Sequence, residues 1–488
     1  MKNIIFGIAA LFLLFYATGC SKILEENPKA VATETFYRTA DEIESAVYAI
    51  YRPIRDAVGA NGGTWVVNEA QEDYGVGRLS YLNMSSFQLL SSTNLSRIQN
   101  MWTNFYEAIR NANLVILNAS QATEVSQEQI DQFTAEAKFL RAFCYFYLVR
   151  NWAGVPIRTE DNMIEPDVPR STVSDVYALI ISDLQYAETK LPDTQAMIGR
   201  ATKDAARAVL TDVYLNLKQW SDARSKALEI ITSGRYSLVS VHQSDDFLNI
   251  FGPDVVNTPE EVFYLKYDGT SDGGYCYIGR FSHSPSFPQY FNTTGVFALF
   301  VEDSLTNNFI TSWDNSDLRK RYSLYSADIG FGPRTMLFKK FIDPASTDQN
   351  CKNDWPAYRY ADILLYYAEA DCRANNGPTA DGIEKLNMVH RRAYGYDPLS
   401  PSPVDFVLSD YNQDTFLDLV LNEMGHEQID EGKRYLILRR WGPGKLAELV
   451  KFARGLDISE DYLLYPIPSV EYDYNNAISP ENDQNPGY

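Results

Sequence analysis

Histidine is scarce in this sequence: His242, His283, His390 and His426 are the only four in 488 residues. His426-Glu427 in "GHEQID" has no second imidazole four residues on, so the helix-borne zinc arrangement fails. The five cysteines, Cys20, Cys144, Cys276, Cys351 and Cys372, form no CxxC and have no histidine at metal-ligand spacing. No Walker A, GxSxG or GxGxxG segment occurs in a strand-to-helix context. Basic charge is in deficit, with 43 Lys+Arg against 64 Asp+Glu and a formal net charge of −21. Such a chain, in which no run of Lys or Arg forms a basic patch, repels phosphate backbones, and nucleic acid is set aside as a partner. Also missing is an apolar run long enough to cross a bilayer. The N-terminal one, Ile4 to Tyr16, has 13 residues, which suits the h-region of a signal peptide.

That run follows a positive start, Met1-Lys2-Asn3, and ends at Ala17-Thr18-Gly19-Cys20. The ending resembles the lipobox of a bacterial lipoprotein, in which Cys20 is acylated and becomes the new N-terminus. Ala17 stands where Leu is usual, and a plain cleaved signal beside a coincidental cysteine is the alternative. Acylation with two or more chains gives stable anchoring without a membrane-spanning helix. Ser21 is not an inner-membrane retention residue. Glu25 and Glu26 resemble the surface-export signal of gut-type Bacteroidetes lipoproteins.

Residues 1–19 therefore read as a signal peptide and 20–40 as a lipidated tether. Over 41–236 helical periodicity dominates. Ile43, Val47, Ile50 and Ile54 share one face, whereas Gly59 to Ser96 looks irregular. A strongly apolar helix covers 131–149, with Phe139, Phe143, Phe146 and Tyr147 on one face and Lys138 and Arg141 on the other. Gly154 and Pro156 stop it. Ser171 or Ser174 is the expected cap of the next helix. "ATKDAARAVLTDVYLNLKQWSDARSKALEIITSGRY" predicts two helices with a turn at Lys218 to Ser221. Leu210, Tyr214, Ala223 and Ala227 fall at tetratricopeptide offsets, the alanines permitting close helix approach. Residues 131–190 and 358–393 suggest further pairs. Over 237–355 the periodicity fades into Gly-, Ser-, Asp- and aromatic-rich sequence with short strands, such as Glu261 to Tyr267. Loops that long are rare unless functional. Residues 356–488 return to helix until about Arg454 and end in an extended tail. The expected fold is mainly α, a tetratricopeptide-like helical-repeat scaffold carrying a loop-rich insertion. Cys144 and Cys372 fall in apolar helical patterns, where buried free thiols are expected, and no disulfide is assigned.

Aromatic residues are abundant, with 33 Tyr, 25 Phe and 7 Trp. Most of them serve packing. Several lie in Gly-, Asn- and Asp-rich loops, where a ring can stack on the C–H face of a sugar while amides and carboxylates bind hydroxyls. Trp65, Tyr74 and Tyr81 occupy one such loop; Tyr275, Tyr277, Tyr290 and Trp313 occupy the other. These seven are the candidate ligand contacts, against the plainer alternative that each anchors its own loop. A glycosidase needs two carboxylates across a cleft, and among 64 acidic residues no sequence pair singles itself out. The Asp- and Asn-rich loops leave room for a structural calcium, but no spacing marks one, so no cofactor is assigned.

Several segments together resemble one family. "LRAFCYFYLVRNWAGVPI", "ATKDAARAVLTDVYL", "YRYADILLYYAEA", "LNEMGHEQIDEGKRYLILRRWG" and the ending "YPIPSVEYDYNNAISPENDQNPGY" are similar, in order, to motifs of the SusD/RagB outer-membrane lipoproteins. With Cys20 the resemblance runs to Tyr488. Glu423-Met424 replaces the family's frequent Glu-Arg, Ile437-Leu438 its Asp-Leu, and Asp362 its Glu. Glu423, Glu427, Glu431, Arg434 and Arg439 read from their spacing as helix-surface ion pairs. The resemblance implies a non-enzymatic, surface-exposed protein of the outer membrane. It would capture a glycan, or sometimes a peptide, and act as the lid of a SusC-like TonB-dependent transporter. Two rival readings are a surface glycan hydrolase and a structural lid that binds no ligand itself.

Overall fold

The computed structural model describes residues 36–59, 63–270, 278, 284–292, 298–346 and 351–488. Cys20, Tyr275, Cys276 and Tyr277 lie outside the described residues. The chain is mostly helical, 54% helix and 6% strand. Successive helices stack in order. Ala40–Gly59 packs on Ser92–Ala119, which packs on Gln127–Trp152, then Val173–Lys190, Lys203–Asn216 and Trp220–Thr232. Tyr360–Asn375 then packs on Trp220–Thr232, and Ala380–Ala393 on Tyr360–Asn375. Two helices adjacent in space are thus separated by some 130 residues of sequence, and that intervening stretch carries most of the short strands.

Local sequence explains these elements. Most of the long helices start at a residue whose side-chain oxygen satisfies an orphan N–H, among them Ser91, Ser126, Thr172, Thr202, Thr379 and Asn412. Ser126 and Gln129 form a capping box at Gln127–Trp152. The Thr172 hydroxyl, rather than Ser171 or Ser174, accepts from the Asp175 amide (3.2 Å). Thr172 is the residue whose hydroxyl stands one position before the first helical residue, within reach of the third amide. Between Lys203–Asn216 and Trp220–Thr232, Ala223 and Ala227 are fully buried and Tyr214 fills the gap. The "irregular" stretch after Gly59 holds a short helix, Thr64–Glu69, and the next long helix already starts at Ser92. The strand at Glu261 ends at Leu265, two residues earlier than its sequence suggests. Cys144, Cys351 and Cys372 are buried free thiols.

Charge is buried where the sequence reads it as exposed. Arg141 does not face solvent. It is enclosed, its Nε donating to Asp183 Oδ2 (2.7 Å) and its Nη1 to Asn113 (2.8 Å), with Glu160 as a further partner. Glu423, Glu427, Glu431 and Arg434 are likewise interior, not helix-surface pairs. Glu427 binds Arg319, Arg359 and Arg392; Glu431 binds Lys340, Lys433 and Arg359; Arg434 binds Asp73. The i, i+4 spacing is real, but each carboxylate turns toward a cation from a distant segment. Burying a charge is tolerated only with such partners. The network ties Trp355–Arg359, Ala380–Ala393, Gln413–Glu427 and the Lys340 segment to one another.

Candidate functional site

Four of the seven sequence-predicted aromatics are inside the protein, at 0–2% exposure. Trp65 Nε1 donates to the Asp430 carbonyl (2.8 Å), and its ring meets Phe341 edge-on (centroids 4.7 Å). Tyr74 donates to Glu69 and accepts from the Asp430 amide (3.0 Å). Tyr81 lies under the Arg97 guanidinium (4.0 Å), and burial pushes its phenol up to about 12. Trp313 Nε1 donates to Asp317 (2.8 Å), and its ring stacks parallel to His426 at 4.4 Å. No face of these four rings is open for a sugar. A large ring gains more from burial in a core than it contributes on a loop tip. Tyr290 is partly exposed, stacked on Phe287 (6.2 Å) and tilted onto Tyr325 (4.8 Å).

The loops themselves do converge. Strand Val76–Gly77 pairs antiparallel with Leu299–Phe300. Val301 and Met336 exchange both backbone bonds (2.9 and 3.0 Å), which joins that pair to the hairpin Leu324–Ser326/Met336–Phe338. Beneath them sits a small apolar cluster of Phe300, Tyr325, Ala327 and Leu337, with Val76, Phe287 and Tyr290 packed against it. The hairpin loop carries "DIGFGPR". Asp328 Oδ1 accepts from the amides of Gly330 (2.9 Å) and Gly332 (3.0 Å), and both glycines have φ near +100°. That left-handed backbone, open to glycine at little cost, lifts Phe331 to the loop tip. Its ring stacks on Phe300 (5.1 Å, 20°), with the Arg78 guanidinium 5.7 Å from its centroid.

The C-terminal end of helix Pro443–Arg454, terminated by Gly455 in the left-handed region, lines the same concavity as Phe331. Asn308 Nδ2 donates to the Phe452 carbonyl (2.7 Å) and ties this helix to the Glu302–Asn308 segment. Asn307 Nδ2 donates to the Tyr74 carbonyl (2.9 Å), so the loop that carries the buried Tyr74 supports the same wall. These segments line a cleft of about 1090 Å³. Phe331 and Phe452 are each 51% exposed on its rim, Leu82 is 52% exposed, and Glu302, Asp303, Arg334, Lys451 and Arg454 supply charge. Apolar faces with a few polar groups between them are the usual make-up of a small-molecule or saccharide site. A second concavity of about 520 Å³ lies between residues 193–202 and strand Glu261–Leu265. It has no comparably exposed aromatic, and its arginines are taken: Arg200 by Glu44 and Glu136, Arg235 by Asp204.

Phe331, Phe452 and Leu82 were not among the residues singled out from the sequence. "GFG" was a readable signal for Phe331, an aromatic held between two residues free to adopt positive φ. Phe452 had none, because its exposure depends on where its helix ends against Asn308. Among the described residues no group of three His, Cys, Asp or Glu side chains is placed to hold a metal. Nor is any described helix long and apolar enough to cross a membrane.

Comparison with known proteins places this architecture. Residues 24–215 match a family model described as SusD-like, starch-binding and associating with the outer membrane, and residues 289–488 match the SusD family model. A SusD-like protein of Bacteroides ovatus is 30% identical over 441 residues, covering 80% of this chain and 76% of that one. A SusD homologue from Bacteroides thetaiotaomicron has the same fold, with TM-score 0.78 at 21% identity over 93% of this chain and 98% of that one. A laminarin-binding SusD-like protein superposes with TM-score 0.73 at 22% identity, covering 93% and 100% of the two chains. The ordered motifs, the stacked helix pairs and these matches agree: the chain belongs to the SusD/RagB family.

Proposed function

We propose that this chain is a surface-exposed outer-membrane lipoprotein, anchored through an acylated Cys20. It captures a nutrient glycan and passes it to a SusC-like TonB-dependent transporter that it covers as a lid. The observation that carries the capture step is the cleft lined by two half-exposed phenylalanine rings from separate segments of the chain. Each ring offers an apolar face to the C–H side of a pyranose, while Asn308, Thr306, Glu302 and Asp303 lie within the same cleft to take hydroxyls. Tyr290, partly exposed in the neighbouring segment, is a further candidate contact, and Tyr275 and Tyr277 are proposed from the sequence alone.

Binding without turnover is the reading the cleft favours. Its two carboxylates, Glu302 and Asp303, are adjacent in sequence and sit on one wall. Asp303 already accepts from the Leu305 amide (2.9 Å) and pairs with Arg334 (2.6 Å). Glycoside hydrolysis needs an acid and a base or nucleophile on opposite sides of the scissile bond. The name of the laminarin-binding relative agrees with a saccharide ligand, and the family's association with the outer membrane agrees with the location.

The test is affinity electrophoresis of soluble Ser21–Tyr488 against a polysaccharide panel, followed by calorimetry on any hit. Phe331→Ala and Phe452→Ala are each expected to weaken binding about tenfold, the equivalent of ~1.4 kcal/mol, with the fold intact by circular dichroism. Release of reducing ends from the bound polysaccharide would establish the hydrolase instead. Unchanged binding in both variants would remove the cleft from the capture reading.

A further inference from the structure

We infer that the cleft between Phe331 and Phe452 takes a glycan bearing anionic groups, uronate carboxylates or sulfate esters, and that Arg454 meets that charge. The inference rests on the capture reading above and narrows it to a ligand class.

The local charge runs against that of the molecule. Over the whole chain acidic residues outnumber basic ones, 64 to 43. The cleft is lined by Arg334, Lys451 and Arg454 against Glu302 and Asp303. The smaller concavity shows no such reversal, with Arg200 and Arg235 against Asp193 and Glu261.

Arg454, which lines the cleft, differs from the fully buried arginines. Arg141, Arg319, Arg359, Arg392 and Arg434 each hold at least one carboxylate. Arg454 forms no ion pair among the described residues. Its Nη2 donates to Ser85 Oγ (3.1 Å), and its enclosed Nη1 has no hydrogen-bond acceptor. Two carboxylates come within electrostatic range, and neither neutralises it. Asp73 is committed to Arg434 through both oxygens (3.0 and 2.9 Å), and Glu302 is exposed. Burial accordingly pulls this guanidinium down to about 10. A desolvated cation with an unpaired donor is costly to the protein alone. An anion seated in the cleft beside the guanidinium relieves it by charge.

The flanking cations are available at small cost. Lys451 pairs with Asp457 (2.6 Å), and Arg334 with Asp303 (2.6 Å). Lys451, Asp457 and Arg334 are each more than half exposed. Exposed pairs of this kind contribute about 0–1 kcal/mol, so a ligand anion can take over either cation.

The experiment uses matched polysaccharides: polygalacturonate with its methyl ester, and dextran sulfate with dextran. Soluble Ser21–Tyr488 is expected to bind the anionic member of at least one pair tenfold or more tighter, with affinity falling as salt rises. Which pair shows the preference separates carboxylate from sulfate recognition. Arg454→Gln is expected to erase the preference and Arg454→Lys to retain part of it. Equal binding within both pairs overturns the charge assignment while leaving glycan capture standing, as does a preference that survives Arg454→Gln. Failure of the folded protein to bind any polysaccharide, in this set or the wider panel, overturns the capture reading and this one with it. Should Arg454→Gln fail to fold, the pair ratios and salt series on the unaltered chain still decide.

Discussion

Trp65 and Trp313 look alike in sequence to residues that grip sugars, and both have been drawn inward. Each satisfies its one polar atom on a neighbour, Trp65 on the Asp430 carbonyl and Trp313 on the Asp317 carboxylate. Gly432 shows how close the fit is: its φ is +67°, and a Cβ there would come within 2.7 Å of the Trp65 carbonyl oxygen. Trp65→Ala and Trp313→Ala are each expected to destabilise the fold by about 3–5 kcal/mol, the range for emptying a large aromatic site. Denaturant titration measures this, and the fraction still folded should bind glycan as the unaltered chain does. Normal stability with lost binding would return these rings to the ligand.

At the scale of elements, function rests on short pieces rather than on the long helices. The hairpin Leu324–Ser326/Met336–Phe338 contributes only three residues a side, yet it presents Phe331 at the cleft. Its loop is held by Asp328 and two glycines at positive φ. A Cβ at Gly332 meets nothing within 4 Å, so substitution there strains the backbone without a clash. Gly332→Ala is expected to cost on the order of 1 kcal/mol of loop order. Its melting temperature should stay within a few degrees of the unaltered chain, while affinity falls toward that of Phe331→Ala. Affinity equal to the unaltered chain would mean the loop does not need this conformation to hold its ring.

At the scale of the molecule, the buried ionic network joins the helical stack to the segments around the cleft. Glu431 is its clearest member, with side-chain exposure of 0%. Burial alone raises a carboxyl, but Arg359, Lys340 and Lys433 overcome that and bring Glu431 down to about 2. In the unfolded chain the group titrates near 4.3. Between these values the unfolded state binds more protons, so the contribution of Glu431 is complete above about pH 5. It is lost as pH falls through 4.3 toward 2. Glu431→Gln leaves three cations short of a counter-charge and is expected to cost about 3–5 kcal/mol at pH 7. The deficit should shrink as the pH drops below 4, measured by urea unfolding across the range. A deficit independent of pH would assign the loss to packing instead of charge.

The helical architecture was legible because amphipathic spacing, caps and Gly/Pro stops are local properties. The pairs at 203–232 and 360–393 stand close to where their sequence puts them. The site was legible only as two loops, since a loop's composition signals its irregular path but not the direction of its side chains. Tyr74 and Tyr81 flank a strand that enters the cleft region, with their rings turned away. The charges of "GHEQIDEGKR" were visible, but their partners lie on Arg319, Lys340, Arg359, Arg392 and Asp73, far away in the chain. The sequence by itself determined the helices, their order and the family. Tertiary structure alone decided which aromatics face water and that Arg454 has no ion-pair partner among the described residues, because burial and pairing arise from contacts between segments that no local pattern encodes.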